Sequence, residues 1–454
     1  MPYAQLEKFI FEKISQTKLP GLSMSLFKGD EVVWSRGFGY RDAERGLPAT
    51  DRTLYSVGSV TKSFTCLAIM QLAAQGKLSI DDPIEKYMPF DIRPHGETVR
   101  IKHFMSHTSG IAALAYAEQI ISAGIGATDD WLPVATANDM LTFMQGAEDW
   151  TWAKPGERWF YFNEGYMLLG GIIHQVSGIP YEEYVQQHIL APLGMSRSFY
   201  AKSDVDADAD VAIPYVNWAQ QGRTPASYIY SGVDAAGGLI SNVLDLAKYG
   251  YSYLNNGKPV ADENIVAEMI QPRVKTPVTE SPFGEEGYGY GWGIKSNFWG
   301  HPIINHGGSV GVATAYLAFI PDANIGAAVL TNGSGYGTGL FAMYGLSLLL
   351  GEDPEALPFV RNERRLAKLE GVYHTFKNTM RLEVRRAGDM LVVSEKDKFG
   401  TNSVTLIPSH IDGDSHYFYE FMNGYKIYTE FHVTDSETKM IRERYLLRKT
   451  GSVS

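Results

Sequence analysis

With 454 residues, the chain is longer than one ordinary domain, so two or three domains and a sizeable core are expected. Its formal net charge is −11 and its Lys and Arg are scattered, so no basic face for nucleic acid is expected. A single cysteine, Cys66, excludes an intramolecular disulfide framework and fits a reducing, cytoplasmic setting, and no apolar run is long enough to predict a membrane span.

The first periodic stretch, Leu6, Phe9, Ile10 and Ile14 with charged residues between them, predicts an amphipathic helix and not a signal segment. Residues 22–27 and 32–40 read as strands joined by the hairpin signal Lys28-Gly29-Asp30. The middle of the chain is mostly helical, with helices expected at 59–74, 101–105, 137–144, 164–176, 181–189 and 243–254. Strands return at 291–296, 303–305, 313–320 and 325–330, followed by a helix at 340–350. Strands at both ends with helices between them predict an α+β domain whose antiparallel sheet draws on both ends of the chain, the helical middle being an insertion.

The Pro- and acid-rich segment 352–358 reads as a linker. Beyond Gly371, Met380, Leu382 and Val384 alternate with Arg381, Glu383 and Arg385, and turn signals recur at Gly388, Gly413 and Gly424. Seven or eight short strands are expected there, forming a small all-β barrel, because closure leaves no free edge. The domain boundaries follow as 1–351 for the first domain, 352–370 for the linker and 371–454 for the barrel.

A serine followed three residues later by a lysine can place an amine beside a hydroxyl, a nucleophile with its own base, provided the pair lies on a helix. Four such pairs occur: Ser15 with Lys18, Ser25 with Lys28, Ser59 with Lys62, and Ser436 with Lys439. Ser25 falls in a strand, where the two side chains diverge, and the first and last pairs sit in solvated ends. Ser59 alone leads into a run, 64–74, that is apolar nearly all round, the pattern of a buried helix. Lys62 therefore starts a buried element, where an amine is paired or has a lowered pKa. Cys66, inside the same run, reads as core.

Tyr161 and Asn163 stand two apart just before another apolar helix and face one way if the segment is extended. The same Tyr-x-Asn string at Tyr215 and Asn217, and at Tyr253 and Asn255, carries no such context. Downstream, Asn305-His306-Gly307-Gly308-Ser309 puts glycines at a sheet edge, where a substrate backbone can approach closely. Ser309 also completes a Gly-x-Ser-x-Gly string, but a strand follows where that nucleophile motif needs a helix. His103 and His107 lack the acid and third ligand of a zinc site, and no phosphate loop or dinucleotide fingerprint is present. No metal and no cofactor are expected.

In this order and spacing, Ser59 with Lys62, Tyr161 with Asn163, and His306 with Gly308 resemble the serine beta-lactamase and penicillin-binding-protein superfamily. The resemblance is greatest to its class C-like esterases, D-aminopeptidases and related hydrolases. It covers roughly residues 1–350 and extends to the phrases at 55–64, 106–110, 166–170, 192–195 and 290–293. Residues 371–450 look like the lipocalin-like barrel known among members of this group, archaeal peptidases included.

The resemblance implies a beta-lactamase-like sheet flanked by helices and an acyl-enzyme on Ser59, with Lys62 and Tyr161 sharing general base and acid work. Backbone N–H groups of Ser59 and Ser309 would form the oxyanion hole, and Asn163 would bond the substrate amide or Lys62. His306 stands where many relatives carry lysine, and a largely neutral imidazole supplies no permanent charge for a β-lactam carboxylate. Phe162 stands where relatives often have a small residue. The substrates implied are small amides or short peptides, D-residues included. A carboxylesterase, a β-lactamase and, from a different class, a non-catalytic binding or assembly module are the alternatives. The barrel is open to three roles: closing over the active site, restricting substrate size, or building a homo-oligomer.

Overall fold

The strand Gly21–Lys28 is buried at every position but its last, and two layers of helices cover it. It pairs on one side with Glu31–Asp42 and on the other with Ile325–Thr331, in a register that sets Leu22 against Thr331 and Lys28 against Ile325. The two ends of the first domain thus meet in one antiparallel sheet, as the chain order of strands and helices predicts. In spatial order its nine strands are Leu47–Pro48, Glu31–Asp42, Gly21–Lys28, Ile325–Thr331, Thr314–Ile320, His301–Ser309, Gly293–Phe298, Glu286–Tyr288 and Val274–Lys275. Successive side chains point to opposite faces, and the glycines record what each face meets. A Cβ on Gly250 of the helix Val243–Leu254 would meet the Phe27 ring, whereas one on Gly345 of the helix Thr338–Leu350 would meet Met24 and Leu26. The first helix, Ala4–Thr17, joins the latter layer by stacking Phe9 on Tyr344 at 4.1 Å.

The computed structural model describes residues 3–218 and 222–453, with the side chains of 217 and 218 excepted, so the Asn217 side chain lies outside the described residues. Two compact units emerge, 1–352 and 353–454. In the first, the helical insertion packs around Thr61–Ala74, whose lack of a polar face is the reason it lies at the centre. The strand expected at 303–305 runs from His301 to Ser309, because Gly307 and Gly308 continue the ladder opposite Tyr316 and Ala315. The short strands Val274–Lys275 and Glu286–Tyr288 carry too few residues to show an alternation, and the helices Tyr116–Gly124 and Glu263–Ile270 escaped the sequence reading.

In the second unit, eight strands from Gly371–His374 to Tyr445–Gly451 form a closed barrel. Alternate residues such as Val384, Leu391, Leu406, Phe418, Phe431 and Met440 pack into its interior. Pro358–Leu369 is a helix, and its Leu366 and Leu369 join that core.

Candidate active site

Ser59 lies in the tight turn Gly58–Val60 that runs directly into the helix Thr61–Ala74. Gly58 has φ +50°, a conformation that suits glycine, and Thr61 Oγ1 donates to its carbonyl at 2.7 Å, closing the turn. The serine therefore precedes the α-helix and does not open it as the sequence suggests. The 3-10 geometry of the turn still stacks residues i and i+3, so Lys62 Nζ donates to Ser59 Oγ at 3.1 Å. The other three pairs do nothing similar. Ser25 Oγ donates to the Val243 carbonyl at 2.9 Å, and Ser15 and Ser436 are exposed.

Lys62 is 0% exposed and its second hydrogen bond, at 2.6 Å, goes to the carbonyl of Ala236 in the short helix Asp234–Gly237. Burial drives its pKa down to about 7, with Glu164 and then Glu118 pulling the other way. Ala236 was not legible in the sequence, since a backbone carbonyl has no side-chain signature. Its one trace is the small-residue run Ala235-Ala236-Gly237-Gly238, which packs beside the nucleophile turn: a Cβ on Gly237 would be in ordinary contact, 3.5 Å from the Gly58 carbonyl carbon.

Tyr161 and Asn163 flank Phe162, whose extended backbone leads into the helix Asn163–Ser177. Both line the cleft that holds Ser59. The Tyr161 hydroxyl is close enough to the Ser59 side chain for the two to interact, and Lys62 Nζ lies 4.8 Å from the centre of the Tyr161 ring. Burial raises the Tyr161 pKa above the usual phenol value, so the group is a protonated phenol at neutral pH.

His107 fixes this segment. Its carbonyl accepts the Phe160 N–H at 2.9 Å, and its Nδ1 accepts the Phe162 N–H at 2.9 Å. Burial keeps the ring neutral, which places its proton on Nε2. The ring packs with its centre 4.2 Å from that of Tyr161. His103, by contrast, accepts the Arg100 N–H at 3.1 Å and caps the helix Ile101–Met105. From sequence, His107 is set aside as a metal ligand and falls only within the family phrase 106–110; its role in placing Tyr161 needs the fold to be seen.

The strand His301–Ser309 runs along the nucleophile turn, and two glycines allow the approach. A Cβ on Gly58 would stand 2.7 Å from Ser309 N; one on Gly308 would stand 1.9 Å from the Val57 carbonyl oxygen and 3.0 Å from Ser59 N. The backbones of Ser59 and Ser309 are thereby brought together. Ser309 Oγ accepts the Gly311 N–H at 3.3 Å, a local turn bond.

His306 is 5% exposed and both its ring nitrogens are occupied. Nδ1 donates to the Gly307 carbonyl at 2.6 Å, so Nε2 accepts from the Tyr288 hydroxyl at 2.8 Å. Burial, reinforced by nearby Lys62, holds its pKa down at about 3. The imidazole is therefore neutral and committed to the protein. The cleft has a volume of about 590 Å³, and Glu118, exposed on the helix Tyr116–Gly124, is the one acidic or basic side chain besides His306 among its described lining residues. Nothing in the sequence singled out Glu118 or Tyr288, because neither belongs to a motif.

Glu164, one residue beyond Asn163, is 1% exposed; its Oε1 accepts the Leu114 N–H at 2.9 Å and its Oε2 has no partner. Burial raises its pKa to about 7.

Residues 6–350 match the Beta-lactamase family, and residues 354–448 match the Pab87 octamerisation domain. Among solved structures, the octameric penicillin-binding protein homologue from Pyrococcus abyssi is 45% identical, with a TM-score of 0.94 over 99% of this chain and 100% of that one. A penicillin-binding protein from Bacillus halodurans is 25% identical, with a TM-score of 0.61 over 75% of this chain and 98% of that one. Among curated proteins, Protein flp of Staphylococcus aureus (strain MW2) is 26% identical over 334 residues, 72% of this chain. The matched segment spans 62% of the length of that relative. Among the described residues, no helix is long and apolar enough to cross a membrane. The chain belongs to the beta-lactamase family of serine hydrolases, and its residues 6–350 carry that fold.

Proposed function

We propose that the protein is a serine hydrolase that forms an acyl-enzyme on Ser59 and cleaves small amides or short peptides. The observation that carries this is the dehydrated Lys62 amine held at 3.1 Å from Ser59 Oγ, with a pKa lowered to about 7. An amine in that state is in part unprotonated at neutral pH and can take the serine proton as Oγ attacks the acyl carbon. The N–H groups of Ser59 and Ser309 would hold the oxyanion of the tetrahedral intermediate. Tyr161, kept protonated by its burial, is suited to hand a proton to the departing amine and to recover one from Lys62. Water then attacks the acyl carbon, Lys62 accepts its proton, and Ser59 Oγ leaves reprotonated. Asn163 lines the cleft where the substrate amide would lie.

Electrostatics favour this substrate class over β-lactams. His306 is neutral, with both ring nitrogens used, and Glu118 places a carboxylate at the cleft wall. The site therefore offers nothing cationic for a substrate carboxylate beyond the buried Lys62, while a free amine on a short peptide meets Glu118. The barrel unit we assign to assembly into a homo-oligomer, on the strength of its match to an octamerisation domain and the octameric state of the Pyrococcus abyssi relative.

Intact-mass analysis after treatment with a serine-reactive phosphonate tests the nucleophile. One adduct per chain is expected, absent in Ser59→Ala; an undiminished adduct on that variant would sink the assignment. Matched aminoacyl amides and esters, in D and L forms, then separate a peptidase from a carboxylesterase, whose alcohol leaving group needs less protonation.

A further inference from the structure

The second unit has a cavity of its own, about 870 Å³, between the helix Pro358–Leu369 and one end of the barrel. Five cationic side chains line it: Arg361, Arg364, Arg365 and Lys368 from the helix, and Lys449 from the last strand. Three carboxylates, Glu355, Asp414 and Asp435, face them, and Glu355 is paired with Arg364 at 3.3 Å. Positive charge is therefore in excess here, in a chain whose net charge is −11.

The helix supplies this array because its sequence, Arg361-Asn362-Glu363-Arg364-Arg365-Leu366-Ala367-Lys368-Leu369, commits Leu366 and Leu369 to the barrel core and leaves the basic residues on the flanks. Arg365 is fixed in place. Its guanidinium lies 5.9 Å from the centre of the Phe418 ring, and one Nη donates to Asn362 Oδ1 at 2.6 Å. Its Nε is buried without a partner, and so is Nδ1 of His416, another residue lining the same cavity. An unsatisfied donor on Arg365 and an unsatisfied ring nitrogen on His416, on two residues that line one polar cavity, stand out here, because buried polar groups are almost always satisfied. The cationic crowding has an electrostatic signature too. Burial, and then Arg365 and Lys368, depress the His416 pKa, while burial lowers those of Arg365 and Lys449.

We infer that this cavity binds a small polyanion bearing phosphate or carboxylate groups, held by Arg361, Arg365, Lys368 and Lys449. A planar guanidinium fixed by its neighbours is well suited to such oxygens, and the lysines add charge without demanding a geometry. The inference concerns the barrel unit and does not rest on the hydrolase reading of Ser59.

Calorimetric titration of the intact protein with inorganic phosphate, pyrophosphate and citrate, at constant ionic strength in chloride, tests it. One saturable site per chain is expected for at least one of these anions. Binding of all three would define a site that reads charge, and binding of the two phosphates alone one that reads phosphate. Combined Arg365→Gln and Lys368→Gln should weaken binding by about tenfold or more, the equivalent of one charge-assisted hydrogen bond. Lys426→Gln, an exposed cation elsewhere on the barrel, should leave it unchanged. No saturable binding by the wild-type protein would overturn the proposal, as would equal weakening by Lys426→Gln. So would a double variant that alters subunit assembly while its phosphate affinity stays intact, for the cations would then serve a protein contact.

Discussion

Lys62 Nζ spans two partners, donating to Ser59 Oγ at 3.1 Å while its other bond, 2.6 Å to the Ala236 carbonyl, anchors it beside the nucleophile turn. No solvent reaches the amine, so its protonation state is set by the protein interior. Acylation of Ser59 should therefore rise as pH increases through about 7, where the amine loses its proton. Lys62→Met should slow acylation roughly 10²- to 10⁴-fold and abolish that rising limb. The linkage has a definite sign: a lysine with a depressed folded-state pKa costs stability below its unfolded pKa, so stability is lost as pH falls from 10.5 toward 7. Urea unfolding at both ends of that window should show the wild type losing up to about 4 kcal/mol relative to Lys62→Met on going to the lower pH. Parallel pH profiles for the two proteins would remove the depressed pKa from the mechanism.

Glu164 titrates in the opposite sense. Its folded-state pKa is raised to about 7 from 4.5, so the stability it contributes is full below 4.5 and is lost as pH rises through 7. Glu164→Gln keeps an acceptor for the Leu114 N–H and removes the buried charge. It should be close to neutral in stability in mild acid and stabilising by up to about 3 kcal/mol in mild alkali. Because Glu164 is the largest influence holding the Lys62 pKa up, the variant should also move the rising limb of acylation to lower pH. A limb that stays in place would show that the two groups do not communicate.

These two residues also show where sequence reading stops. Lys62 was legible because helical spacing is a local property, and an apolar run announces a buried helix whatever surrounds it. The sheet drawn from both ends and the barrel were legible from alternation and turn signals. Glu164 was not, since a glutamate beside a helix start looks like an ordinary cap until the packing of 114–116 over it is known. Ala236, Tyr288 and Glu118 belong to the same class. Each comes from a distant part of the chain, and only tertiary structure brings it to the cleft that Ser59 lines. His306 lay between the two cases: the residue was visible, but how firmly it is held neutral depends on its burial and on nearby Lys62.

Replacing His306 by lysine should exchange one substrate preference for another. The imidazole contributes no charge, whereas an ammonium at the cleft wall would attract a carboxylate and repel an amine. His306→Lys should lower KM for a carboxylate-bearing cephalosporin and raise KM for substrates with a free amine, each by about tenfold, on the scale of one charge pair in a partly buried site. It should also depress the Lys62 pKa further and carry the rising limb of acylation to lower pH. Unchanged KM values with a simple loss of kcat would mean that this position orients Tyr288 and does not set the charge of the cleft.

Gly308 and Gly307 are neighbours in one strand and should respond differently to the same substitution. A Cβ on Gly307 meets nothing closer than 3.7 Å, on the Tyr316 ring, which is ordinary contact. One on Gly308 would fall 1.9 Å from the Val57 carbonyl oxygen, a backbone atom that cannot swing aside as a side chain can. Either the strand must retreat or the turn that carries Ser59 must shift, and both separate Ser59 from Ser309. Gly308→Ala should cut the rate of phosphonate labelling at Ser59 by about 10²-fold, the usual effect of misplacing reacting groups by an ångström, and cost roughly 1–3 kcal/mol of stability through overpacking. Gly307→Ala should label at nearly the wild-type rate. Equal labelling by both variants would mean that the contact between strand and turn does not build the oxyanion site, and the donors for the intermediate would have to be sought elsewhere in the cleft.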